Sequence, residues 1–297
     1  MHLSQSRSNA LVVFGILLLA VSLVPAAAQQ SPKGNLIIIG GGDRGPEVMN
    51  PFVQLAGGEK SKIVFFPMAS TYGDNSAGER IADMKKYGAG TVMHLNINKQ
   101  QANSDSVLAL LDGVTGVYFG GGDQAKLTAV LKGTRTEKRL HELYENGAVL
   151  GGTSAGAAVM SAIMLTGDER RPTRDSSWNK IEADNIITID GFGFIDDAIV
   201  DQHFLIRRRS NRFISVILEH PTKVGVGIDE ATAIWLKPNH TFEVLGKSAV
   251  VVYDATSAEV KRDASGYGLR ASDVRMSVLR AGSIYDLKSK KVLRLSN

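Results

Sequence analysis

The stretch Gly151-Gly152-Thr153-Ser154-Ala155-Gly156-Ala157-Ala158 follows the apolar run Ala148-Val149-Leu150 and decides how the rest of the chain is interpreted. A strand that ends in Gly-x-Ser-x-Gly and continues into small residues is typical of a nucleophile elbow, the strand-to-helix turn that holds a serine Oγ clear of the backbone. The glycines suit this turn because they lack a Cβ. The stretch alone is equally compatible with a Gly/Ser/Ala-rich helix start. Ser154 is therefore a candidate nucleophile whose role depends on the rest of the sequence.

Short apolar runs alternate with helical patterns through the first half of the chain. Continuous apolar runs that end in glycine or proline are typical of strands buried on both faces, and the segments between them have helical spacing. The predicted strands are Leu36–Ile39, Ile63–Phe66, Gly116–Phe119 and Ala148–Leu150, and the predicted helices are Ala77–Tyr87, Ser104–Leu111, Gln124–Leu131 and Glu137–Asn146. This alternation predicts a three-layer α/β fold with a mostly parallel sheet and helices on both faces. In such sheets chemistry gathers at the carboxyl ends of the strands, where Ser154 falls.

The pattern changes after Ser154. The polar segment Gly167–Ile181 predicts a long loop that could edge a cleft. Further predictions are a strand at Ala198–Val200, a helix at Arg207–Leu218 and a strand at Val224–Leu236 that carries an acidic interruption. From Thr241 to Leu295 short β-like runs predominate, so we expect extra strands at the sheet edge or a small β appendage.

The first 28 residues have the features of a secretory signal peptide. Met1–Asn9 carries one arginine, Ala10–Val24 is uncharged and mostly apolar, and Pro25-Ala26-Ala27-Ala28 offers a small-residue cleavage site. A membrane anchor is the alternative, but a spanning helix needs about 20 apolar residues and this run is shorter. We expect cleavage near Ala28, export to the periplasm or the outside of the cell, no membrane attachment afterwards, and one mature domain, Gln29–Asn297.

The composition narrows the chemistry. The chain contains no cysteine, which excludes a thiol nucleophile, a lipoprotein anchor and a disulfide framework. Its net charge of +4 comes from 34 basic and 30 acidic residues, a surplus too small to indicate a nucleic-acid partner. The six histidines show no His-Glu-x-x-His or other metal-ligand spacing, so no metal is implied.

The loop Gly40-Gly41-Gly42-Asp43-Arg44-Gly45 formally satisfies the G-x-G-x-x-G pattern of dinucleotide sites. A Rossmann unit also needs an acidic residue about 20 residues later, at the end of the second strand, to hold the ribose. That strand ends in Phe66-Pro67-Met68-Ala69, and Pro46 follows the glycine loop. Nucleotide binding is therefore not expected, and no cofactor is predicted.

A serine nucleophile needs a base that a carboxylate orients. His203 is the candidate base because it follows a buried strand downstream of the serine, in a polar context. For the carboxylate, Asp229 and Glu230 both interrupt an apolar run, and an ionised group there needs a partner. Strand alternation puts only one of them on a given face, and the sequence alone does not select between them.

Two further features would complete a serine hydrolase. The first is a pair of backbone donors for the oxyanion: the elbow supplies the Ala155 N–H, and the loop Gly120–Gln124 is the candidate for the second. The alternative is that this loop is only a strand-to-helix turn. The second feature is the group Arg207-Arg208-Arg209 with Arg212, which concentrates positive charge beside His203. Clustered arginines suit a carboxylate-rich substrate.

These motifs together resemble the cyanophycinase and peptidase E group of serine peptidases. That group is similar in fold to class I glutamine amidotransferases, a flavodoxin-like architecture, but uses serine where those enzymes use cysteine. The similarity lies in the elbow, in Gly121-Gly122-Asp123-Gln124, in Asp201-Gln202-His203-Phe204 with the arginines that follow, and in Asp229-Glu230-Ala231-Thr232-Ala233. It extends from Leu36 to about Tyr253, and the histidine motif with its arginines resembles cyanophycinases in particular.

The resemblance implies a role for each matching residue. Ser154 would attack the carbonyl, His203 would transfer the proton, and Glu230 rather than Asp229 would hold the imidazole. The oxyanion donors would be the backbone N–H groups of Gly122 and Ala155. The implied substrate-binding residues are Asp123, Gln124, Asp201, Gln202, Arg207, Arg209 and Arg212.

The implied substrate is cyanophycin, a poly-aspartate backbone with arginine on its side-chain carboxyls, cut to β-Asp-Arg dipeptides through an acyl-enzyme. An aspartyl or isoaspartyl dipeptidase like peptidase E is the alternative enzyme, and a non-catalytic protein that binds acidic polymers is the alternative from another class. Segment Gly167–Ile181 does not align with the group. The sequence does not fix the oligomeric state, although homodimers are common among such folds.

Overall fold

The computed structural model of the protein describes residues 32–71, 73–172 and 179–296. The predicted signal peptide lies outside the described residues, as do residues 173–178 of the predicted loop. Within the described ranges, no helix combines the length and apolar character needed to cross a membrane.

The described residues contain seventeen strands. They are β1 (Leu36–Ile39), β2 (Lys62–Phe66), β3 (Thr91–His94), β4 (Gly116–Phe119), β5 (Val149–Thr153), β6 (Ile163–Glu169), β7 (Ile186–Asp190), β8 (Ala198–Gln202), β9 (Val224–Ile228), β10 (Thr232–Leu236), β11 (Thr241–Gly246), β12 (Val250–Asp254), β13 (Glu259–Arg262), β14 (Leu269–Ser272), β15 (Arg275–Leu279), β16 (Ile284–Asp286) and β17 (Lys291–Arg294). The helices are α1 (Pro46–Leu55), α2 (Gly73–Lys86), α3 (Asp105–Leu110), α4 (Gln124–Leu131), α5 (Arg135–Glu145), α6 (Ala155–Ala158) and α7 (Ser210–Glu219).

A nine-stranded sheet in the order β17-β16-β11-β10-β1-β5-β4-β2-β3 is the centre of the fold. The strands β1 to β5 pair in parallel, which confirms the parallel sheet predicted from the alternation of strand and helix. The C-terminal strands β10, β11, β16 and β17 extend this sheet by antiparallel pairing beyond β1. The prediction of extra C-terminal strands at the sheet edge is thereby confirmed.

Helices cover both faces of the sheet, and the alternation of side chains along β1 shows why. Ile37 and Ile39 pack in one buried cluster with Phe52 of α1, while Leu36 and Ile38 pack in a second cluster with residues of α4 and α5. Successive side chains of a strand point to opposite faces, so a fully apolar strand such as β1 needs a helical layer on each side.

A second, four-stranded sheet in the order β15-β12-β9-β8 was not predicted. The single strand expected at Val224–Leu236 is two strands, β9 in this sheet and β10 in the large one. The chain changes sheets at Asp229-Glu230-Ala231, where Ala231 has a φ of 51° that extended pairing cannot accommodate. The acidic interruption is therefore the crossing between two sheets.

Two other element boundaries differ from the prediction. The helix predicted from Arg207 begins at Ser210, because Arg208 has a φ of 53° and the residues before it form a turn. The loop predicted to start at Gly167 starts later, since Gly167–Glu169 ends strand β6, which pairs with β7.

Candidate active site

Ser154 occupies a sharp turn between β5 and α6. Its φ of 54° and ψ of −112° lie outside the helical and extended regions, which corresponds to an elbow rather than a glycine-rich helix start. The neighbouring glycines are required by close contacts. A Cβ added to Gly152 would lie 2.2 Å from the carbonyl oxygen of Gly156, and one added to Gly156 would lie 2.2 Å from that of Phe119.

His203 and Glu230 reach Ser154 from the second sheet. His203 follows β8, and its Nε2 lies 2.8 Å from Ser154 Oγ while its Nδ1 lies 2.5 Å from Glu230 Oε1. With the ring proton on Nδ1, the imidazole donates to the Glu230 carboxylate and accepts from the Ser154 hydroxyl. The order carboxylate, imidazole, hydroxyl is the hydrogen-bonded arrangement of a serine hydrolase triad.

The adjacent carboxylates Asp229 and Glu230 have different partners. Glu230 contacts the imidazole, whereas Asp229 is buried and its Oδ1 accepts the backbone N–H groups of Leu205 and Ile206, each at 3.0 Å. The hydroxyl of Ser248 donates to the other Asp229 oxygen at 2.7 Å. Of these two acids only Glu230 contacts the ring, so the geometry favours Glu230 over Asp229 as the carboxylate that orients His203, and that role stays a prediction.

The glycine loop after β1, which formally matches the pattern of dinucleotide sites, packs against the side chains of His203 and Glu230. A Cβ added to Gly41 would lie 2.3 Å from His203 Cε1, and one added to Gly42 would lie 2.9 Å from Glu230 Cβ. The carbonyl of Gly40 accepts the His203 N–H at 2.8 Å, and that of Gly41 accepts the Ala231 N–H at 2.9 Å. Sequence reasoning missed this role, although three glycines at the end of a strand next to β5 were a usable signal.

The loop after β4 lies beside the serine. A Cβ on Gly121 would be 3.4 Å from Ser154 Cβ, and Gly122 has a φ of 139° with a Cβ position only 2.1 Å from the Ala69 carbonyl oxygen. Ala155 is the first residue of α6, so its N–H has no acceptor within that helix. The two predicted oxyanion donors therefore flank the elbow, and their role stays a prediction.

The two polar residues at the end of this loop, Asp123 and Gln124, have structural partners. Asp123 accepts the Ala125 N–H at 2.8 Å and so caps α4, although it stays exposed. Gln124 is buried, and its Nε2 donates to the carbonyl oxygens of Leu165 at 2.8 Å and Thr166 at 2.6 Å. Gln124 thus ties α4 to β6 rather than presenting its amide nitrogen to a substrate.

The arginine cluster divides into exposed and buried members. Arg207 and Arg208 are exposed, whereas the Arg212 side chain is only 1 % exposed. The Arg212 guanidinium donates hydrogen bonds to both carboxylate oxygens of Asp201, with Nε 2.8 Å from Oδ2. Arg209 is buried as well and donates to the carbonyl oxygen and side-chain oxygen of Gln202 at 2.6 and 2.8 Å. The resemblance implied direct substrate contact for Asp201, Gln202, Arg209 and Arg212, but these four residues are paired with one another inside the protein. Substrate contact by the exposed Arg207 stays a prediction.

The surroundings of His203 favour its neutral form. Burial lowers the pKa of the imidazole below its ordinary value of 6.5, and the positive charges of Arg207 and Arg209 act in the same direction. The hydrogen bond and negative charge of Glu230 raise this pKa, but by less. The ring is thus held in the form that can accept a proton at neutral pH. Among the described residues, no group of three or more histidine, aspartate or glutamate side chains could hold a metal ion.

Comparison with known proteins identifies the family of this chain. The model of "Peptidase family S51" matches residues 36–244. The chain belongs to peptidase family S51. This S51 peptidase is 34 % identical to a cyanophycinase of Synechococcus elongatus over 272 residues, which cover 88 % of this chain and 81 % of the relative. It is 32 % identical to a cyanophycinase of Nostoc sp. over 272 residues, 89 % of each chain.

Two solved structures share the architecture of the S51 peptidase. A peptidase from an acI-B1 Actinobacterium has a TM-score of 0.60 and 22 % identity, covering 86 % of this chain and 98 % of its own. A Listeria monocytogenes protein described as a candidate peptidase E has a TM-score of 0.50 and 20 % identity, covering 72 % and 99 %. At these identities the likeness concerns the fold, which is the predicted flavodoxin-like architecture. The chain is a serine-type peptidase by its family membership.

Proposed function

We propose that this S51 peptidase is a cyanophycinase that uses Ser154, His203 and Glu230 as its catalytic triad. The observation that carries the proposal is the continuous hydrogen-bonded chain from Glu230 Oε1 through both ring nitrogens of His203 to Ser154 Oγ. The substrate is inferred from the curated relatives, which are named cyanophycinases and match this chain over most of its length.

Each atom of the triad has a defined task in the proposed reaction. Ser154 Oγ attacks the scissile carbonyl while His203 Nε2 accepts its proton, and the Glu230 carboxylate stabilises the imidazolium that forms. The backbone N–H groups of Gly122 and Ala155 donate to the oxyanion. The imidazolium then protonates the leaving amine, which departs and leaves an acyl-enzyme on Ser154. A water molecule, deprotonated by His203, hydrolyses the ester and releases the acid product.

Arg207 is the proposed contact for substrate carboxylates at the mouth of the site. Arg207 is exposed, and its positive charge is close enough to His203 to lower the pKa of the imidazole. A carboxylate bound by Arg207 would therefore lie close to the reacting carbonyl. A guanidinium pairs with a carboxylate through two parallel hydrogen bonds, which suits a polymer with a terminal aspartyl group. The expected products are β-Asp-Arg dipeptides.

We also propose that the enzyme acts outside the cytoplasm, as one mature domain of residues 29–297. This rests on the polar start, apolar run and small-residue end of residues 1–28. N-terminal sequencing of the protein recovered after expression from the full-length gene tests it. A first residue at or near Gln29 supports export, and an intact Met1 contradicts it.

The substrate assignment is tested by incubating purified residues 29–297 with cyanophycin and, separately, with isoaspartyl dipeptides. Release of β-Asp-Arg, measured by mass spectrometry, is expected from the wild type and from Ser272→Ala, an exposed serine on β14. Ser154→Ala should release none. Cleavage of the dipeptides alone would instead support a dipeptidase like peptidase E, and retention of the polymer without products would contradict the proposed activity.

A further inference from the structure

We propose that Asp229 is a positioning residue, one that holds the turn carrying His203 and Arg207 without touching the substrate. This turn comprises residues 203–209 and connects β8 to α7. The inference rests on the proposed function, because it assigns Asp229 an effect on the His203 and Arg207 side chains that the proposed reaction uses.

The turn begins with four backbone N–H groups that the turn itself does not satisfy. The His203 N–H donates to the Gly40 carbonyl at 2.8 Å, and the Phe204 N–H donates to the Ile228 carbonyl at 3.2 Å. The next two, those of Leu205 and Ile206, both donate to Asp229 Oδ1 at 3.0 Å. Only from Arg207 onward do the N–H groups find acceptors inside the turn, starting with the carbonyl of His203 at 3.1 Å.

Asp229 therefore does for this turn what an N-cap residue does for a helix. The first N–H groups of any helical turn lack internal acceptors, and a side-chain oxygen that accepts them fixes where the turn begins. In this turn the oxygen comes from a different part of the chain, the crossing between β9 and β10. Asp229 thereby links the position of the turn to the position of the neighbouring Glu230.

His203 needs such support because its backbone is strained. It has a φ of 48°, a value that residues with a Cβ rarely adopt and that persists only when the surroundings enforce it. The residues Leu205 and Ile206 cannot enforce it through side-chain packing, because they are 42 % and 64 % exposed. The hydrogen bonds from their backbone N–H groups to Asp229 hold the turn instead.

The Asp229 carboxylate is itself held in place by a second layer. The Ser248 hydroxyl donates to Oδ2 at 2.7 Å, and the Ser248 N–H donates to Thr232 Oγ1 at 2.9 Å. The Thr232 hydroxyl in turn donates to the carbonyl oxygen of Glu230 at 3.0 Å. The three groups that donate to the Asp229 carboxylate, two backbone N–H groups and the Ser248 hydroxyl, are all neutral. The carboxylate therefore acts as a hydrogen-bond acceptor for the turn and not as a member of an ion pair. One network thus fixes the backbone on both sides of the imidazole.

The test compares Asp229→Ala, Asp229→Asn and Asp254→Ala in the mature protein. Asp254 is the matched control because it is also a buried, hydrogen-bonded aspartate. It lies opposite Val224, the first residue of β9, whereas Asp229 follows the last residue of that strand, about 13 Å away along β9. Asn at 229 keeps an oxygen for the two N–H groups, and its amide can donate to the Ser248 oxygen. The measurements are kcat and KM with cyanophycin, the rate at which a small fluorophosphonate labels Ser154, and Tm.

Asp229→Ala is expected to lower kcat/KM by about 100-fold, because a small displacement of a general base has that effect. Labelling of Ser154 should slow in parallel, and KM should rise through the displacement of Arg207. Asp229→Asn should recover most of the lost rate. Asp254→Ala should keep the wild-type kcat even if its Tm decreases as much as that of Asp229→Ala.

Unchanged kinetics in folded Asp229→Ala would overturn the inference, as would an equal loss of kcat in Asp254→Ala or a failure of Asn to rescue. If the wild type labels at Ser154 but does not cleave cyanophycin, the proposed substrate is wrong while the labelling rates still decide the role of Asp229.

Discussion

A Cβ atom on Gly41 would lie 2.3 Å from Cε1 of His203, so the backbone of the loop after β1 is in direct contact with the imidazole ring. No side chain larger than hydrogen fits between them. The loop also supplies the Gly40 carbonyl that accepts the His203 N–H. The parallel sheet thus contributes to the site twice, once by presenting Ser154 after β5 and once by supporting the ring from β1.

Gly41→Ala is expected to lower kcat by about 100-fold, because the added methyl group displaces the imidazole from Ser154 Oγ. Gly88→Ala is the matched control, since Gly88 also has a positive φ, 87°, but a Cβ there meets no atom within 4 Å. Both variants carry backbone strain, and only the first carries the clash. Steady-state kinetics together with Tm separate the two effects. Equal loss of kcat in both variants would show that the contact with His203 is not the cause.

Arg207→Gln should shift the acid limb of the pH profile of kcat/KM to higher pH. The positive charge of Arg207 contributes to lowering the pKa of His203, so its removal raises that pKa. The protonated ring cannot act as a base, and activity is therefore lost at a higher pH as the solution is acidified. Arg208→Gln is the control, an exposed neighbour that should leave the limb in place. An acid limb at the same pH or at a lower pH in Arg207→Gln would contradict the effect assigned to Arg207 on the pKa of His203.

Glu230→Gln should move the same limb in the opposite direction. The hydrogen bond and charge of Glu230 raise the pKa of His203, so the neutral amide lowers it and the limb shifts to lower pH. At the same time kcat should fall by about 10²–10⁴-fold, because the imidazolium loses its counter-charge during proton transfer. The measurement is a full pH profile of both kcat and kcat/KM. An upward shift, or a kcat equal to that of the wild type, would remove Glu230 from the triad.

Arg212→Met should destabilise the protein, whereas Arg207→Met should not. Removing Arg212 leaves the carboxylate of Asp201 buried beside one remaining arginine, and breaking a buried ion pair in this way costs about 3–5 kcal/mol. Arg207 is exposed, and substitutions at such positions change the free energy of unfolding by about 0.5 kcal/mol or less. Urea denaturation of both variants measures the difference. Similar stability of the two would mean that the Asp201–Arg212 pair is not a structural element.

The parts of the fold that were predictable are those with a local signal. The apolar runs at Leu36–Ile39 and Gly116–Phe119 are continuous and end in glycine, so the parallel strands and their carboxyl ends could be identified. The elbow around Ser154 and the motif around His203 are similarly contained in a few consecutive residues. The structure brings these two residues into hydrogen-bonding distance, as a triad requires.

The parts that were not predictable depend on how distant segments meet. The run Val224–Leu236 was predicted as one strand because an acidic interruption such as Asp229-Glu230 is compatible both with a continuous strand and with a change of sheet. The burial of Arg212 depends on the turn of residues 203–209, which carries it back to Asp201, and charge alone does not indicate it. The role of the glycine loop after β1 depends on the side chains of His203 and Glu230, which come from a different sheet.

The most direct test of the account is to locate the site of fluorophosphonate labelling by mass spectrometry of proteolytic peptides, with and without excess cyanophycin. The reagent reports the activated nucleophile, and competition by the polymer reports whether its binding site includes that serine. We expect the label on Ser154, formed more slowly when cyanophycin is present and absent from Ser154→Ala. Labelling of another serine, or a rate that cyanophycin does not change, would contradict the central claim that Ser154 is the nucleophile of a cyanophycin-degrading peptidase.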